Sequence, residues 1–152
     1  LGGALELGGV SIPFTQAAVV LAQLFVSAPF FIKSAAIGFG QVPPDLRQAA
    51  GLDGASSWQV FRFVTVPLAR TALITGAALS WARALGEFGA TIIFAGNFPG
   101  RTQTMPLAIY IGFELDFNLA LTLSAILIGL SLLTLLLVKW LLHPKAGADT
   151  PA

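Results

Sequence analysis

Cysteine is absent from the 152 residues, and histidine occurs once, as His143. The first absence excludes disulfides and thiolate metal sites, and one imidazole without a second nearby does not make a metal centre. No lysine follows a glycine, so the G-x-x-x-x-G-K-[ST] loop that cradles nucleotide phosphates is missing. The chain does not hydrolyse ATP by that route, and no cofactor is indicated. Charge is scarce too: Asp, Glu, Lys and Arg make up 10% of residues and leave a net +1, with no basic stripe for nucleic acid. Internal repeats and low-complexity linkers are lacking, which points to a single domain over 1–152.

Apolar residues fill the space that charge leaves, at 56% of the chain and a mean hydropathy of +0.84. Three stretches are long enough to cross a ~30 Å hydrocarbon layer as helices of about 20 residues. They run from about 14 to 32, 68 to 95 and 119 to 142. A soluble bundle would need polar faces, yet 119–138 has only Thr and Ser as polar residues. The expected fold class is therefore all-α, a polytopic transmembrane helical bundle.

Lysine and arginine near the span ends set orientation. Lys33, Arg47, Arg62 and Arg70 fall in the 33–70 connection, whereas 96–118 holds only Arg101 and 1–13 holds none. Lys139 and Lys145 flank the end of the last span. The 33–67 loop and the C-terminus are expected in the cytoplasm.

That loop has local structure of its own. Pro43-Pro44 ahead of Asp45-Leu46-Arg47-Gln48-Ala49-Ala50 predicts a short helix opened by proline, ended by Gly51 or Gly54 in a left-handed conformation. Ser56-x-x-Gln59 matches a capping box and predicts a second short helix over Trp58–Val64. Pro67 fits the start of the next span, where a missing N–H costs little. Trp58, Phe61 and Phe63 suit either an interfacial helix with its Trp among the lipid headgroups or a helix that presents i, i+3 anchors to a partner's groove. On the far side, 96–106 is turn-rich and polar, and Pro106 to Glu114 reads as a short helix at the outer surface.

Arg83 and Glu87 are the charges inside the second span. At ~1.5 Å per residue, Arg83 lies roughly 20 Å beyond Arg70, past the midplane. A charge at that depth faces protein or water. Two readings follow: the residues neutralise each other as an i, i+4 pair, or Arg83 offers its charge to an anion in a passage. Arginine-first is the weaker order for such a pair. On the same span Ala78, Ala82, Gly86 and Ala90 recur every fourth residue, a spacing that lets helices approach closely.

The stretch from Gln48 to Pro67 resembles the cytoplasmic coupling loop of ATP-binding-cassette importer permeases. That pattern is E-A-A, three residues, Gly, nine residues, then I-x-L-P. Gln48, Ala49 and Ala50 fill the triplet, Gly54 keeps the spacing, and Val64-Thr65-Val66-Pro67 closes it, with Gln48 in place of glutamate and valines in place of isoleucine and leucine. Arg83 to Tyr110 and Val10 to Phe30 are similar to molybdate-importer permeases, with tungstate and sulfate or thiosulfate permeases as close relatives.

The resemblance implies the type I importer permease fold. Because such permeases have five or six spans, it also implies the C-terminal portion of a longer protein. Its site residues would be Gln48, Ala49, Ala50, Gly54, Trp58, Phe61, Val64 and Pro67 for ATPase coupling, with Arg83 and Glu87 as candidates for the pathway. Its partners would be ABC ATPase subunits, a second permease subunit in a homodimer, an extracytoplasmic oxyanion-binding protein and membrane lipid. The expected location is a bacterial or archaeal inner membrane. A secondary transporter or channel would also explain the spans but leaves the 48–67 spacing without a reason, and a non-transporting scaffold would show no flux even with all partners present.

Overall fold

A computed structural model describes residues 12–142, and within them every regular element is helical. His143 and Lys145 lie outside the described residues, as does nearly all of the stretch before the first span. Helix α1 spans Gln16–Gly40. Thr15 starts it: the hydroxyl accepts from the Ala18 N–H at 3.3 Å and donates to the Ile12 carbonyl at 2.6 Å. The helix does not stop at Ile32, where the apolar run ends; it carries Lys33 on an exposed face and continues to Gly40. A lysine is tolerated there because its stem covers apolar surface while the ammonium reaches outward.

Helices α2 (Pro44–Leu52) and α3 (Ser57–Val60) form the loop that follows. A π turn, Phe61–Thr65, joins α3 to α4 (Val66–Leu85), so Ser57–Leu85 runs unbroken for 29 residues. Helices α5 (Gly89–Ala95), α6 (Met105–Leu115) and α7 (Phe117–Leu142) complete the described residues. Among the described residues three helices are long and apolar enough to cross a membrane: Gln16–Gly40, Ser57–Leu85 and Phe117–Leu142.

The antiparallel pair α1 and α4 is the centre of the fold, and small residues make it. A Cβ on Gly76 would stand 2.8 Å from the Ser34 Cβ, and one on Gly38 would overlap the Ala72 Cβ. Backbones this close gain van der Waals contact, the term that holds helices together where lipid gives no hydrophobic drive. Ser34 donates to the Ala72 carbonyl at 2.7 Å and Ser80 to the Ser27 carbonyl at 3.0 Å. The packed seam therefore uses Ala69, Ala72, Gly76 and Ser80. Of the fourfold stripe expected from sequence, Ala82 and Gly86 remain exposed.

The stretch 68–95 is two helices, not one. It breaks at Gly86–Phe88 and resumes as α5, which packs along α1. Helix α6 folds back on the helix that follows it. It runs along α7, where a Cβ on Gly112 would sit 3.1 Å from that of Ala120. Its first residues, Met105 and Pro106, share a cleft with Gln23 of α1 and Leu127 of α7. An apolar helix gains by burying a stripe on a neighbour. Asp116 makes the corner into α7, its Oδ1 accepting from the Leu119 N–H at 3.1 Å.

Candidate functional site

The loop 44–65 is built almost wholly from local rules. Pro44 opens α2, with Asp45 in the first turn where the helix dipole favours a carboxylate. Gln48 and Ala49 are exposed and Ala50 is half-buried. The helix closes in a Schellman motif: the Ala55 N–H reaches the Ala50 carbonyl at 3.0 Å and the Gly54 N–H reaches the Gly51 carbonyl at 3.1 Å. Gly54 has φ +89°, the left-handed conformation this motif needs. Gly51 stays inside the helix. Two residues on, the capping box is present, with the Ser56 N–H donating to Gln59 Oε1 at 2.7 Å and the Gln59 N–H to Ser56 Oγ at 3.4 Å.

The second short helix is not separate from the span that follows. The Val66 N–H bonds to the Phe61 carbonyl five residues back, and the Thr65 hydroxyl donates to the Val60 carbonyl at 3.4 Å. Pro67 falls immediately after this wider turn. A proline inside a regular helix clashes with the carbonyl four residues earlier, and one extra residue in the preceding turn relieves it. The second short helix and the span thus form one continuous helical element.

Its three aromatic residues divide by role. The Phe61 ring lies 5.7 Å from that of Trp58 and 5.9 Å from that of Phe39 on α1, tying the short helix to the first span. Trp58 and Phe63 remain 69% and 72% exposed. Val64 is half-buried; it lines a shallow cleft of about 350 Å³ with Asp53, Gly54, Gln59 and Phe63.

Arg83 and Glu87 do meet, but not as a pair within one helix. Arg83 is in the last turn of α4, and Glu87 lies in the break beyond Gly86. Arg83 Nη1 is 2.7 Å from Glu87 Oε2, while Glu87 Oε1 accepts the Ala90 N–H at 2.7 Å. One carboxylate thus neutralises the arginine and satisfies a free donor in the first turn of α5. Among the described residues no cluster of His, Cys, Asp or Glu has the makings of a metal site.

Sequence reasoning missed several contributors. Gly38 and Gly76 carry no local signal, since their need for small size comes from a partner helix far away in sequence. Asp116 is an ordinary N-cap ahead of an apolar run and was readable. Thr102 is buried, and its hydroxyl holds the Phe98 N–H at 3.1 Å, shaping the 96–104 turn.

Comparison with known proteins gives a consistent result. The family described as "Binding-protein-dependent transport system inner membrane component" matches residues 8–143. The chain is 52% identical over 105 residues to YvgM of Bacillus subtilis, a permease protein whose name refers to molybdenum transport; the match covers 69% of this chain and 46% of that one. It is 40% identical over 151 residues to the molybdenum transport system permease protein ModB of Mycobacterium tuberculosis, covering 99% of this chain and 54% of that one. It is also 37% identical over 151 residues to the sulfate transport system permease protein CysW of Synechococcus elongatus, at 99% and 52%. The chain spans about half the length of these relatives.

Proposed function

We propose that this chain, which belongs to the family of binding-protein-dependent transport system inner membrane components, is the part of an ATP-driven oxyanion importer that forms the passage and receives the ATPase signal. Molybdate is the oxyanion the relatives' names favour, since YvgM and ModB carry it in theirs. The observation that carries the reading is the 44–65 element. The importer motif spacing, Gln48-Ala49-Ala50 to Gly54 to Pro67, coincides with a rigid two-helix projection that leaves Trp58 and Phe63 in the open.

In this reading two ATPase subunits dock on the projections of two permease copies. ATP draws the projections together, and the unbroken Ser57–Leu85 helix carries that movement into the membrane. An external binding protein delivers the dianion to the opened side, and hydrolysis in the partner subunits resets the pair. The permease itself makes and breaks no covalent bond. Its membrane is the inner membrane, with the 44–65 element in the cytoplasm.

Sulfate is the second reading, supported by the likeness to CysW across nearly the whole chain. Uptake of labelled molybdate into vesicles holding the full-length permease, its ATPase and its binding protein tests the choice. ATP-dependent uptake that excess tungstate suppresses and excess sulfate leaves alone supports molybdate. Suppression by sulfate at equal concentration moves the assignment to sulfate, and absence of ATP-dependent uptake of any of the three rejects the oxyanion reading.

A further inference from the structure

The α1–α4 seam opens at its end nearest the 44–65 loop into a cleft of about 480 Å³. Ser34 and Gln41 line one side, Thr71 and Thr75 the other, and no acidic residue is among the lining side chains. The other large clefts are different. The one between α1 and α5, about 570 Å³, is walled by Leu21, Leu24, Phe25, Phe94 and alanines. The one between α4 and α7, about 470 Å³, is walled chiefly by leucines, Ile74 and Trp81.

Hydroxyl behaviour separates these surfaces further. On α7, Thr122, Ser131 and Thr134 each donate to the carbonyl four residues back, all at 2.8 Å. A hydroxyl facing hydrocarbon does this because nothing else can take its proton. Among the described residues, Thr71, Thr75 and the Gln41 amide make no side-chain hydrogen bond, although Thr71 and Thr75 stand one turn apart on one face. Gln41 and Thr71 are exposed and Thr75 is half-buried, so all three stay open to water, and three free polar groups converging on one cleft suit a polar occupant better than a lipid tail.

We propose that this cleft is a water-filled stretch of the passage wall, in which Thr71, Thr75 and Gln41 donate hydrogen bonds to an oxyanion moving with part of its hydration shell. The assignment rests on the permease reading and names the face of this chain that the cargo passes. Donors without a carboxylate suit an anion, and neutral donors hold it weakly enough to let it leave.

The absence of cysteine from this chain makes the test clean. Thr71→Cys and Thr75→Cys are introduced singly into full-length permease otherwise free of cysteine, assembled with its ATPase in vesicles, and exposed to an anionic, membrane-impermeant methanethiosulfonate. Leu132→Cys and Leu136→Cys, from the apolar face of α7, are the controls. Thiolates form only where water reaches, so both threonine positions should react at least about tenfold faster than the α7 positions. Reaction at Thr75→Cys should also cut ATP-driven oxyanion uptake by more than half. Thr75→Cys reacting no faster than Leu136→Cys, in vesicles that transport normally, overturns the wetted wall and leaves the permease reading standing. Fast reaction with unchanged uptake overturns the passage assignment. Cysteine-free permease with both threonines intact that shows no ATP-driven uptake overturns the permease reading, and this proposal with it.

Discussion

Arg83 and Glu87 pair at 2.7 Å across the break that ends α4, and they are unequally buried: 37% of the arginine side chain is exposed against 4% of the glutamate. The asymmetry says which partner depends on the other. Arg83→Gln leaves a buried carboxylate without its cation and should cost roughly 2 kcal/mol or more. Glu87→Gln should cost less, because the amide oxygen still accepts from the Ala90 N–H and the guanidinium can turn outward. The double variant should be milder than Arg83→Gln alone. Thermal unfolding of the purified full-length permease gives the order. If instead the single arginine variant and the double variant lose uptake equally while remaining folded, Arg83 acts on the cargo.

Gly54 sits at φ +89° with open space where a Cβ would go, so the penalty for a side chain there is conformational and not steric. Gly54→Val should cost about 1–2 kcal/mol locally and loosen the angle between α2 and α3. We expect normal membrane insertion with fewer oxyanions moved per ATP hydrolysed, read from paired uptake and phosphate-release assays. Unchanged stoichiometry at unchanged expression contradicts a role for this corner in coupling.

Gly38 faces Ala72 with no room for a methyl group. Gly38→Ala should destabilise the α1–α4 pair by about 1–3 kcal/mol, the usual effect of overpacking, and Ala72→Gly in the same chain should restore most of the loss. The melting temperatures of the two single variants and the double variant decide it. Simple additivity would mean the helices are not in contact there.

Local chemistry was the legible part. Apolar runs pointed to the three long helices, although the second runs Ser57–Leu85 and not 68–95; the Ser56–Gln59 box and Pro44 marked helix starts, and the glycine pattern pointed to the corner at 51–54. These signals act within a few residues and are written in consecutive positions. The break at Gly86–Phe88 was hidden because the run stays apolar through it and only Glu87 changes the chemistry, by reaching forward to the Ala90 N–H. The packing of α6 along α7 was hidden too. Hydropathy measures how apolar a helix is, but Gly112 against Ala120 decides where it lies. In the loop, Pro67 suggested a boundary; the π turn before it removes the need for one.

The claim at the centre of this account is that Trp58 and Phe63, on the lever formed by Ser57–Leu85, are the contact for an ATPase subunit. Buried aromatic anchors commonly carry about 2 kcal/mol or more of an interface. The direct measurement is disulfide crosslinking in the assembled transporter, with cysteines at Trp58 or Phe63 scanned against single cysteines across the ATPase surface, and Thr102 and Gln103 as the comparison. Crosslinks from Trp58→Cys or Phe63→Cys that strengthen or weaken with ATP, and none from Thr102→Cys or Gln103→Cys, are the predicted result; ATPase crosslinks from the Thr102–Gln103 turn alone would contradict it.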